Sequence, residues 1–159
     1  MQHELAHLGN GAHAFATQML GSVDDAADAV HDALATVLQR PEAWDASKGS
    51  LKTWFMRVVR NRCIDMIRLR KAGGDTLDEL IDPGLSPEDA LVVEQRDQGL
   101  RNALARLEAA QRQIIVLSDY AGLSYREIAN VLDVPQGTVM SRLHRARLAL
   151  KKELIADGE

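Results

Sequence analysis

Apolar side chains recur every three or four residues along most of this chain, and nowhere do they alternate with polar ones over a strand's length. The pattern predicts an all-α protein. Over residues 23–39 it would bury Ala26, Val30, Leu34, Val37 and Leu38, leaving Asp24, Asp25, Asp28 and Asp32 to face solvent or a basic partner. From Ser50 to Lys71, a broad apolar arc of Leu51, Trp54, Phe55, Val58, Val59, Cys63, Met66 and Ile67 opposes Arg57, Arg60, Asn61 and Arg68. One side suits a core and the other an anion; Trp54 could pack inward or stack on an unpaired base. Further on, Leu100, Leu104 and Leu107 mark one helix, and Ile114, Ile115, Leu117 and Ala121 mark another that Gly122 would end.

The last third of the chain has the sharpest pattern. Ser124 and Glu127 stand three apart before Ile128, the spacing at which the two side chains satisfy each other's unpaired amides at a helix start. Ile128, Ala129 and Leu132 fall on one face, and Ala129 is small enough for a second helix to cross closely. Pro135 ends the first helix and suits the beginning of the next, which should run to about Leu154. On that second helix Val139, Leu143, Ala146 and Leu150 form an inward stripe. Gln136, Thr138, Ser141, Arg142 and Arg145 are left outward, and Gly137 leaves the helix start open to close approach. This is a helix-turn-helix whose second helix carries side chains suited to phosphates and base edges.

Between the two patterned regions, Gly73-Gly74 and the stretch through Pro83, Gly84 and Pro87 show no sustained apolar period. The expected organisation is therefore a helical domain over 1–72, a flexible acidic linker over 73–97 and a second helical domain over 98–159. Such a linker should leave the two domains without fixed spacing in the free chain.

Charge is strongly blocked along the chain. Basic against acidic residues number one to seven over 1–47, eight to one over 48–71, one to eight over 72–99 and five to none over 136–152. The formal net charge of −4 thus hides two basic segments, each a candidate nucleic-acid surface. No apolar run is long enough to span a bilayer and the N-terminus lacks a secretory pattern, so a cytoplasmic protein without membrane insertion is expected. The single Cys63 has no internal disulfide partner and sits among apolar neighbours, which favours a buried side chain over a nucleophile.

An acidic helix, a Trp-containing basic helix, an acidic linker and a helix-turn-helix, in this order, resemble the extracytoplasmic-function (group 4, sigma-70 family) sigma factors of bacterial RNA polymerase. Residues 122–129 and 137–147 look like the family's domain four. Trp54 through Arg68 look like the domain-two helix that engages the minus-ten element, and 28–34 are similar to its polymerase-binding helix. Ala27 and His31 stand where the family usually has Glu and Gln, Leu34 where it has Phe, and Glu108 where Pro commonly follows Leu. The resemblance implies a nonenzymatic subunit, with no cofactor and no metal, that brings core RNA polymerase to promoter DNA. Arg57, Arg60, Asn61, Arg68 and Arg70 would meet the minus-ten region. Gln136, Thr138, Ser141, Arg142 and Arg145 would read the minus-thirty-five element, and Asp28 and Asp32 would contact the polymerase. An anti-sigma factor is a further implied partner, although no residue identifies one. Two rivals remain: a stand-alone helix-turn-helix transcriptional regulator, for which no dimerisation seam is apparent, and a metal-dependent enzyme using His3, His7 and His13, for which no further ligand cluster is visible.

Overall fold

The computed structural model describes residues 2–72 and 98–157, and every described element is helical. The expected linker over 73–97 lies outside the described residues. The N-terminal half consists of α1 (Gln2–Leu20), α2 (Val23–Gln39), two short 3₁₀ turns (Pro41–Ala43 and Ala46–Lys48) and α3 (Leu51–Ala72). The C-terminal half consists of α4 (Gln98–Ala105), α5 (Ala109–Ile115, continued by a π turn over Val116–Tyr120), α6 (Tyr125–Leu132) and α7 (Gln136–Asp157).

Local chemistry sets most of the boundaries. Ser22 accepts a hydrogen bond from the Asp25 amide at 3.2 Å and so caps α2, whose first turn carries Asp24 and Asp25 against the positive end of the helix dipole. The α5 segment closes through Gly122, where φ is +75°, with the Leu123 amide donating to the Leu117 carbonyl at 2.9 Å.

The buried face of α2 differs from the expected one. Ala26, Ala29, Ala33 and Val37 are buried, Val30 and Leu34 are half-buried, and Leu38 is 44% exposed. The helix is held between α1 and α3, so small side chains occupy the lines of closest approach and the larger ones spread to the flanks. On α3, Leu51, Phe55, Val59 and Cys63 are buried as expected, with Thr53 and Met56 added, whereas Trp54 is half-buried at the edge of the core.

Helix α1 is covered nearly all round: residues 11–12 and 14–20 are all buried, including Phe15, Thr17, Gln18 and Leu20. A helix buried on every side belongs at the centre of a fold, and α1 packs on α2 and α3 and also on α5 with its π turn. Helix α3 likewise meets α6. The buried apolar residues of both halves form one continuous cluster. The two halves thus pack against each other through α1, whose small and polar residues face α5.

Candidate nucleic-acid interface

The turn between α6 and α7 is built as the spacing of its residues requires. The Ser124 hydroxyl accepts from the Glu127 amide at 3.1 Å, and the Glu127 carboxylate accepts from the Ser124 amide at 2.8 Å. Partial burial pushes the Glu127 carboxyl up, but the Ser124 amide, Lys52 and two serine hydroxyls outweigh it and hold the group below its ordinary value. With a depressed folded value, this contribution is complete at neutral pH and is lost as acid protonates the carboxyl. Replacing Ser124 with Ala should lower stability by about 1 kcal/mol, observable as a reduced urea midpoint with an unchanged slope.

Asp133 ends α6 in the left-handed region at φ 57°, and the Pro135 carbonyl accepts the first amides of α7, from Thr138 at 3.0 Å and Val139 at 3.2 Å. Pro135 thus precedes the helix by one position. Ile128 and Val131 of α6 meet Val139, Leu143 and Ala146 of α7 in the core, while Leu150 is half-buried. Gln136, Ser141, Arg142 and Arg145 are exposed and Thr138 is half-buried. The Ser141 hydroxyl donates to the Gly137 carbonyl at 3.2 Å, leaving its oxygen lone pairs outward. Arg142 and Arg145 line a groove of about 300 Å³ with Glu108, Ala110, Gln111 and Ile114, and neither makes an ion pair among the described residues.

Arg147, two positions on, behaves differently. Its guanidinium donates to Asp119 at 2.7 Å and Ser118 at 3.1 Å, and the Asp119 hydrogen bond holds its pKa above the ordinary arginine value. It ties α7 to the end of α5.

The basic face of α3 is also divided between open and engaged side chains. Arg57, Asn61 and Arg68 are exposed and Arg60 is half-buried. Arg70 is half-buried, paired with Asp25, and donates to the Leu20 carbonyl at 3.2 Å, so it fixes the junction of α1 and α2. Arg62 pairs with Asp32 at 3.0 Å, and Asp28 is exposed without an ion pair among the described residues. Of the acidic residues of α2, two therefore face basic partners on α3.

The sequence pattern gave no sign of Trp44. Its indole donates to the Gly49 carbonyl at 3.2 Å and, with Asp45, Ser50, Thr53, Trp54 and Arg57, it lines a cleft of about 140 Å³. Asp45 accepts from the Ser47 amide at 2.9 Å and hydroxyl at 2.6 Å, shaping the turn that presents Trp44. The available signal was this short Asp-x-Ser turn beside an isolated Trp.

Burial pushes the Cys63 thiol up to about 12, so no thiolate forms at neutral pH. His13 Nε2 lies 3.1 Å from the Val23 carbonyl, and no cluster of metal-ligating side chains exists among the described residues. The side chains of His3 and His7 lie outside the description. Among the described residues no helix is long and apolar enough to cross a membrane.

Comparison with known proteins accounts for both halves. Residues 5–73 match the model of sigma-70 region 2, and residues 97–150 match that of sigma-70, region 4. The chain is 32% identical over 149 residues to the ECF RNA polymerase sigma factor SigW of Bacillus subtilis, covering 86% of this chain and 79% of that protein. It is 36% identical over 135 residues to the ECF RNA polymerase sigma factor RpoE of Cereibacter sphaeroides, covering 83% and 72%. The sigma factor RpoE of Bartonella quintana, solved in complex with the anti-sigma factor NepR, superposes with a TM-score of 0.74 at 27% identity, over 98% of this chain and 97% of that one. With its two sigma-70 regions in order and relatives of this identity along most of its length, the chain belongs to the extracytoplasmic-function sigma factors of the sigma-70 family.

Proposed function

We propose that this protein directs core RNA polymerase to promoter DNA through two separate surfaces, the outward face of α3 for the minus-ten region and that of α7 for the minus-thirty-five element. The observation that carries this reading is the presence, in one chain, of two exposed basic helix faces, each inside its own sigma-70 region. A stand-alone regulator would use only the second.

In this assignment Arg57, Arg60, Asn61, Arg68 and Arg70 reach the downstream element, Arg70 being also engaged with Asp25. The Trp44, Trp54 and Arg57 cleft adds two indoles and a guanidinium, groups on which an unpaired base stacks. Gln136, Thr138, Ser141, Arg142 and Arg145 read the upstream element. Asp28, exposed on α2, and Asp32, shared with Arg62, face the polymerase. The protein works in the cytoplasm without chemistry of its own, as domains 1–72 and 98–159 on either side of the 73–97 segment. The anti-sigma factor seen with the Bartonella relative makes an inhibitory partner of that type a candidate here.

The test is dependence on polymerase. With a net charge of −4 and short basic segments, the isolated protein should bind promoter duplex only weakly, near the non-specific range of about 10⁻⁴ to 10⁻⁶ M. Core enzyme should make binding specific in a mobility-shift titration. Tight, sequence-specific binding by the protein alone would favour the self-sufficient regulator.

A further inference from the structure

The basic stretch over 136–152 holds five cations and no acidic residue, yet the fold sets a carboxylate against it from elsewhere in the chain. Helix α5 packs on α7, and in the groove of about 300 Å³ between them Glu108, Gln111 and Ile114 stand on one wall, Arg142 and Arg145 on the other. Glu108 is exposed and makes no ion pair among the described residues. The two arginines are equally unpaired there, so the groove holds opposite charges that do not neutralise one another by contact.

The Glu108 side chain has no structural duty that would account for its place. It belongs to the residue before α5, at φ −63° and ψ 149°, but its carboxylate caps no amide. The helix starts through the main chain instead, with the Glu108 carbonyl accepting from the Gln111 and Arg112 amides at 3.0 Å each. The uncharged proline that commonly follows this leucine in the family would offer the same carbonyl. What the glutamate adds is charge alone.

That charge acts on whatever enters the groove. Packed helix axes lie about 8–10 Å apart, comparable to the Debye length of about 8 Å at physiological salt. A strand that brings phosphates to Arg142 and Arg145 therefore comes within reach of the carboxylate. We propose that Glu108 is an affinity-limiting residue of the upstream DNA contact: it opposes the backbone attraction of Arg142 and Arg145, so that only elements with matching base edges are held. The inference rests on the assignment of α7 to the minus-thirty-five element. Repulsion between the carboxylate and the phosphates is indifferent to sequence, because the backbone carries none. In counterion terms Glu108 cancels about one phosphate contact. Base-reading bonds from the same helix keep their strength, and a larger share of the binding comes from them.

The test is a charge series at this one position, Glu108→Gln and Glu108→Lys, in the full-length protein assembled with core polymerase. Affinity is measured for a promoter with its upstream element intact and for one with that element scrambled, at about 50 mM and about 200 mM salt. Each step from Glu to Gln to Lys should raise affinity by the same factor on both promoters and steepen the slope of log affinity against log salt by about 0.9. The gain per step should then be about 3.5-fold larger at the lower salt. The urea midpoint should stay in place, as for other exposed side chains; if Gln moves it, the further gain from Gln to Lys still reads charge. No gain, or a loss, would overturn the proposal. A gain confined to one base pair of the element would do so too, by making Glu108 a reader of a base amine. Arg142→Ala with Arg145→Ala separates this from the functional assignment. If that pair of changes leaves upstream affinity intact, α7 is not the DNA surface and the assignment falls; if it weakens affinity while the Glu108 series has no effect, only the charge argument falls.

Discussion

Replacing Leu143 with Ala should abolish upstream promoter protection by melting the helix-turn-helix, although Leu143 touches no DNA. Its side chain is 1% exposed and lies in the stripe with Val139 and Ala146 that packs α7 against Ile128 and Val131 of α6. Truncating a buried leucine costs about 2–5 kcal/mol, lost transfer energy plus the cavity left behind. A domain has only about 5–15 kcal/mol in total, so the loss takes a large share of the margin. The urea midpoint should fall steeply. Because the apolar cluster is continuous through α1, the N-terminal half should feel part of that loss, and probes in either half should report one transition. The neighbouring Arg142→Ala change removes an exposed side chain and should leave the midpoint nearly unmoved. A Leu143→Ala protein that melts like the parent would show that the inward stripe contributes no core.

How much of this was legible in the sequence varies with the range of the interaction. The α6–α7 turn was legible almost residue by residue, since a capping box, a proline and a four-three-four apolar spacing are all decided within one or two helical turns. Recognition of the sigma-70 pattern drew on the same local signals and placed both basic helices. The α2 face was legible only in part, because periodicity favours large apolar residues for the core. The shared groove chose Ala29 and Ala33 instead, which the sequence marks only as small.

The contact between the two halves was not legible at all. Gly11 and Ala121, which pack together there, are far apart in sequence, as are Gln18 and Arg112, which hydrogen-bond, and nothing local to any of the four announces its partner. Glutamine and arginine are ordinarily exposed, so neither pattern nor composition points to their burial. It becomes favourable only because the guanidinium finds Gln18, Leu107 and Ala105 oxygens in one place. Desolvation lowers the Arg112 pKa, yet a group starting so high stays charged at neutral pH. The same long-range matching explains the pairing of Arg70 with Asp25 and of Arg147 with Asp119, which a count of basic residues does not reveal. Composition reveals how many cations a helix carries; only the fold reveals which of them remain open.

That division gives the most discriminating test of the two-surface reading, made on the assembled polymerase complex. Arg142→Ala with Arg145→Ala removes two exposed cations from α7 while substituting the best helix former, so the fold should survive and the upstream footprint should weaken. Each side chain that reads a base edge should cost about 1–3 kcal/mol when lost and relax preference at one base pair; uniform loss on every sequence would identify a phosphate contact. Arg60→Ala with Asn61→Ala should do the reverse, leaving upstream protection intact while reducing permanganate reactivity of unpaired thymines near the start site. The paired outcome follows from helix positions: α7 carries the first pair and α3 the second, and neither pair is used at the seam between the halves. If both pairs of substitutions removed the same single footprint and neither affected strand opening, one surface rather than two would be carrying the DNA.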